Sequence, residues 1–182
     1  MAEVLLLSGP PPSGKTTLAR LISERYDRVA HIDVDLIRRL RRAGLVAPWR
    51  AEPELTRQRH LASLNAAGLA RNFIASGVGV IIKDIILPDS MQWYVDELQA
   101  SGVRIHLVRL LPSLQDCNAR DRARRAEQVR PVWLTKVYEF FVAAGDFGGV
   151  WIDSTDQSPL ETADCIQALT TQGASVIWPL AS

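Results

Sequence analysis

At 182 residues the chain is long enough to bury a sizeable core within one domain, and 47% hydrophobic with 23% charged residues is an ordinary globular balance. A net charge of +1 argues against bulk electrostatic attachment to nucleic acid or membrane. No apolar run approaches the roughly 18 residues that span a bilayer, and no leader-like segment precedes the first hydrophobic run, so a cytoplasmic protein without a membrane partner is expected.

The first predicted strand is Glu3–Ser8, and a helix is expected over Lys15–Glu24. Between them Gly9-Pro10-Pro11-Pro12-Ser13-Gly14-Lys15-Thr16 fits the phosphate-binding pattern G-x-x-x-x-G-K-[ST] in the strand–loop–helix setting that pattern needs. Such a loop turns backbone N–H groups inward, and the following helix adds its positive end. Gly9, Ser13, Gly14, Lys15, Thr16 and Thr17 are therefore candidate nucleotide ligands, with Lys15 on the β- and γ-phosphates and the Thr16 hydroxyl on Mg²⁺. Pro12 has no N–H, so the cage should lean on Ser13, Gly14, Lys15 and Thr16.

The second strand, Val29–Val34, delivers Asp33 and Asp35. A kinase acting on a hydroxyl needs a carboxylate beside the nucleophile, and Asp35, where the chain leaves the strand, is the first choice as base. Asp33 competes, since in an extended chain the two share a face. The plainer alternative makes Asp35 the N-cap of a helix over Leu36–Ala43. Arg38, one turn on, is a candidate for the acceptor or the transferring phosphoryl. A long helix, Glu54–Ala75, completes a helical insert at about 36–76 that should cover the acceptor, with Trp49, Arg57 and Arg59 as possible contacts.

The third strand, Val78–Lys83, ends at Asp84, a candidate for water-mediated Mg²⁺ binding or acceptor positioning. Lys83 is expected to point out of the cleft, because neighbouring strand residues face opposite ways. A helix over Ser90–Ala100, a strand over Val103–Leu110 and a helix over Leu114–Arg124 follow. Arg120 and Arg124 share a helix face. In a lid at about 118–135, Arg120 would meet the base, Arg124 the phosphate, and Arg130 is a second lid candidate; the alternative is a solvated surface helix with ion pairs to Asp121 and Glu127. A helix over Val132–Ala143, a strand over Val150–Asp153, the cleft residues Asp153, Ser154 and Thr155, and a helix over Pro159–Thr170 finish the chain. Strand–helix alternation implies an α/β fold, a parallel sheet with helices on both faces, whose sites gather at the carboxyl ends of the strands. Cys117 and Cys165 fit no metal or redox spacing and are expected as buried thiols; His31 and His106 sit in apolar runs and are expected to be structural.

These residues resemble the small P-loop kinases of the nucleoside-monophosphate-kinase-like group, above all chloramphenicol phosphotransferase-like proteins, and also the polynucleotide 5′-kinase and shikimate kinase families. The likeness runs through Gly9–Thr17, Val34-Asp35, Ile81–Leu87, the Arg120/Arg124 pair and Ile152–Thr155. It implies a five-stranded sheet in the order 2-3-1-4-5, ATP and Mg²⁺ as cofactors, Asp35 as the acceptor's base, and a loop after the last strand beside the adenine. Lys83 departs from it, since chloramphenicol phosphotransferases tend to carry an acidic residue there. The expected function is ATP- and Mg²⁺-dependent transfer of the γ-phosphate to a hydroxyl of a small molecule. A polynucleotide 5′-hydroxyl kinase and a non-catalytic nucleotide switch remain alternatives.

Overall fold

Short, continuously apolar runs become strands buried on both sides. They are β1 (Val4–Ser8), β2 (Val29–Asp33), β3 (Gly79–Lys83), β4 (Ile105–Leu110) and β5 (Val150–Ile152). The structure, a computed structural model, describes residues 3–48, 50, 53–123 and 131–179. The five strands are parallel in the order β2-β3-β1-β4-β5, as the sequence implies. A sixth, β6 (Val176–Trp178), pairs antiparallel with the start of β4 and was not anticipated.

Seven helices are described: α1 (Lys15–Ser23), α2 (Val34–Arg39), α3 (Pro53–Ala75), α4 (Pro88–Leu98), α5 (Leu114–Arg122), α6 (Pro131–Ala143) and α7 (Pro159–Thr171). Four of them open on proline, whose fixed φ and missing N–H suit a first helical turn. The alternation of side chains along the strands sorts the core into two layers. Leu5, Leu7 and Ile81 face α1 and α7 through Leu18, Ala19, Ile22, Ala163 and Ile166. Val4, Leu6, Val80 and Ile82 face α3 and α4 through Ala62, Ala66, Ala67, Ala70, Tyr94 and Leu98. Among the described residues no helix is long and apolar enough to cross a membrane.

One expectation fails at the end of β2. The chain does not stay extended through Val34, and Asp35 is not the helix cap. Asp33 accepts the Asp35 N–H at 3.0 Å and caps α2, so Asp35 lies in the helix's first turn. The short polar Asp33 side chain satisfies an amide that a continuing strand would leave open, which starts the helix two residues early.

Candidate active site

The loop after β1 is shaped by what glycine permits. Gly9 has φ +149°, and a Cβ there would stand 2.5 Å from the Leu110 carbonyl oxygen. Gly14 caps α1 in the left-handed region at φ +100° with no side-chain cap. Leu18 N–H is bonded to Gly14 O, so the amides of 15–17 lie ahead of the first helical hydrogen bond at the positive end of α1. The Ser13 N–H is turned back onto Pro10 O at 3.0 Å, which moves the amide cage off Ser13 and onto the residues that follow it. Lys15 Nζ donates to Gly9 O at 2.6 Å, Pro10 O at 2.9 Å and Ser13 Oγ at 3.4 Å. Burial, then the neighbouring Lys83 ammonium, pull the Lys15 pKa down to about 8 against the opposing pull of Asp35 and Asp84. Lys15, Lys83, Asp35 and Asp84 thus share one electrostatic neighbourhood at the carboxyl ends of β1, β2 and β3.

Lys83 points into this neighbourhood, not away from it. It is in phase with Ile81, on the α1 face of the sheet, and is paired in register with Asp33 on one side and Leu7 on the other. Its Nζ donates to Asp33 Oδ2 at 2.6 Å and to Thr16 Oγ1 at 3.1 Å. Asp84 is one residue on and faces the opposite layer. There it accepts from Tyr94 OH at 2.9 Å and from Ile85 N–H at 2.7 Å. Burial raises its pKa, although Arg59 and these two donors favour the charged form. Arg59 also donates to Ile85 O at 3.1 Å, tying α3 to this turn. Ser8, which the sequence reading missed, accepts from Ile86 N–H and donates to Ile86 O, fixing the same turn to the end of β1. A polar residue closing an apolar strand was the available signal.

Asp35 is exposed on the first turn of α2, with Arg38 Nη1 3.9 Å from its Oδ1. Arg38 lies one turn further on and has its Nε buried without a hydrogen-bond partner. Arg57 is exposed and pairs with Glu54. Across the loop, Arg120 donates to Ser13 O at 3.3 Å and to Ser154 O at 3.2 Å, joining the phosphate loop to the segment after β5. There Asp153 accepts from Thr155 N–H, and Thr155 Oγ1 accepts from Ser113 N–H. The structure therefore gathers Gly9, Ser13 to Thr17, Asp33, Asp35, Arg38, Asp84, Arg120, Asp153, Ser154 and Thr155 around the ends of the strands. Trp49, Arg124 and Arg130 lie outside the described residues. His31 is exposed on the edge strand β2 and His106 is buried; Cys117 is buried and Cys165 is half-buried, so the expected burial holds for one of the two thiols.

Among the described residues no group of three His, Cys, Asp or Glu side chains could hold a metal ion. The Thr16 hydroxyl is already engaged by an ammonium. Magnesium bonds oxygen at about 2.1 Å, so an ion on that hydroxyl would sit against Lys83 Nζ. Like unit charges near a protein surface repel by about 4 kcal/mol at 4 Å, and a dication doubles this. The residues fit an anion, and they do not fit a divalent ion on Thr16 in this arrangement.

A family model described as an AAA domain matches residues 4–136. No curated protein matches the chain. Among solved structures it is similar to the tunicamycin resistance protein of Deinococcus radiodurans, at 18% identity and TM-score 0.67 over 98% of this chain and 100% of that one. It is similar to a sugar kinase of Janibacter sp. HTCC2649, at 17% identity and TM-score 0.68 over 96% of both chains. It is also similar to the APS kinase CysC of Mycobacterium tuberculosis in complex with AMPPNP and APS, at 18% identity and TM-score 0.61 over 93% of this chain and 98% of that one. At these identities the likeness is one of fold.

Proposed function

This chain belongs to the AAA-domain family and has the P-loop kinase fold, and on that footing we propose that it transfers the γ-phosphate of ATP to a hydroxyl of a small molecule. The observation that supports the reading is an exposed carboxylate, Asp35, in the same electrostatic neighbourhood as Lys15, whose Nζ is held on the carbonyls of Gly9 and Pro10 in the loop before α1. The acceptor oxygen attacks the γ-phosphorus, the bond from that phosphorus to the β–γ bridging oxygen breaks, ADP leaves, and the hydroxyl proton passes to Asp35. Asp33 is the weaker candidate for base, because both its carboxylate oxygens are engaged, one by the Asp35 N–H and one by Lys83. Arg120, bridging Ser13 and Ser154, suits the nucleotide's base side, and Arg124 is the cation proposed for the charge of the transferring group.

A groove of about 660 Å³ between α2 and α3, lined by Ile37, Arg38, Leu40, Leu61, Asn65 and Leu69, supports an acceptor with an apolar body. It shares Arg38 with the Asp35 pair. The test is an ADP-release screen across nucleosides, sugars, hydroxy acids, antibiotics and 5′-hydroxyl oligonucleotides, with the Asp35→Asn variant beside it. Acceptor-stimulated ADP release should fall by roughly 10²–10⁴-fold in Asp35→Asn with ATP affinity nearly unchanged, since the base is lost and the cage is not. Turnover in that variant close to the parent's would remove Asp35 from the reaction. Rates on oligonucleotides that collapse with salt, and no activity on small acceptors, would move the acceptor class to nucleic acid.

A further inference from the structure

We propose that Lys83 stands in for the divalent cation beside Thr16, so that this chain grips a nucleoside triphosphate without needing a metal ion at that hydroxyl. The inference rests on the kinase reading and concerns which cation meets the phosphates.

Three observations point the same way. The first is position: register pairs Lys83 with Leu7 at the end of the strand that launches the phosphate loop, and with Asp33 on β2. Its phase with Ile81 directs the side chain to the α1 face, where Thr16 lies in the first turn of the helix. The second is burial. Lys83 is only 7% exposed, and a lysine is almost never buried that deeply unless paired. The pairing is with Asp33 at 2.6 Å. The third is donor count. An ammonium carries three N–H donors. Asp33 and Thr16 take one each, and one remains for a phosphate oxygen seated on the cage. Asp33 holds the ammonium in place and balances its charge between turnovers. Lys15 and Lys83 then approach the phosphates from two sides of the loop, one from α1 and one from β3.

The test is ATP binding to the full chain by titration calorimetry, once in EDTA and once in excess MgCl₂. The parent protein should bind with affinities that agree within about threefold in the two buffers, and Lys83→Met should lose at least about tenfold in EDTA. MgCl₂ should restore much of that loss once the ammonium no longer blocks the hydroxyl. The double variant Lys83→Met with Asp33→Asn leaves no buried unpaired carboxylate and should show the same new metal requirement, and melting curves report whether each variant is folded. A parent whose affinity drops tenfold or more in EDTA overturns the proposal, as does a folded Lys83→Met protein that binds ATP in EDTA like the parent. Failure of every protein to bind ATP in either buffer overturns the kinase reading and takes this inference with it.

Discussion

Lys15 shows how burial and neighbours set a phosphate ligand's readiness. Desolvation and Lys83 hold its pKa at about 8, well below the ordinary lysine value. Bound phosphate favours the ammonium, so ATP seated on the cage raises that pKa again. Below about pH 7 Lys15 is charged with or without ligand, and it takes up no proton on binding. Above about pH 8 part of the unliganded population is neutral, binding takes up a proton, and affinity weakens by up to about tenfold per pH unit. Calorimetry in two buffers of different ionisation enthalpy checks this: uptake near pH 9 and none near pH 7 is expected, and none at either removes the shifted lysine. Residue identity made Lys15 and Asp35 legible in the sequence. Lys83 departs from the expected outward direction, because its own phase and not that of Asp84 sets where it points. Ile81 faces α1, two positions before it, and that phase alone sends Lys83 to Thr16.

At the scale of elements, the strands and most helices follow from apolar runs and their punctuation. β6 escaped because three residues, Val176–Trp178, are too few to show a period, and only pairing with β4 makes them a strand. The start of α2 escaped because an aspartate's choice between cap and base is settled by which amide it meets. The groove between α2 and α3 was illegible, since its walls come from residues about 25 positions apart whose meeting depends on helix packing. The turn after β3 is the element on which the site's geometry hangs. Ser8, Arg59 and Tyr94 hold it from β1, α3 and α4. Tyr94 is fully buried, and its hydroxyl is a donor to the half-buried Asp84 carboxylate. Tyr94→Phe should lower unfolding free energy by about 1–3 kcal/mol in urea titration, because the half-buried Asp84 carboxylate loses a donor that water replaces only in part. A loss below about 0.5 kcal/mol would mean the turn is held by the other ties alone.

Across the whole molecule, the site draws on both core layers: Lys83 from the α1 side, Asp84 from the α3–α4 side. Nucleotide that binds only the native arrangement should therefore stabilise the entire chain. At a ligand concentration of 100 times Kd the gain is about 2.7 kcal/mol, which for a domain of this size raises Tm by about 5–10 °C. A thermal scan with ATP that moves Tm by less than about 1 °C at saturation would show the cage to be decoupled from folding. On the far side of the sheet, the outer rim of β4 is divided. Val108–Leu110 are taken by β5 running parallel, and Ile105 and His106 by β6 running the other way. Two three-residue strands of opposed direction lie end to end where one long border would otherwise stand. A foreign chain seeking to zip along that margin meets a reversal of polarity halfway, so this side of the molecule resists the strand-by-strand stacking that seeds fibrils.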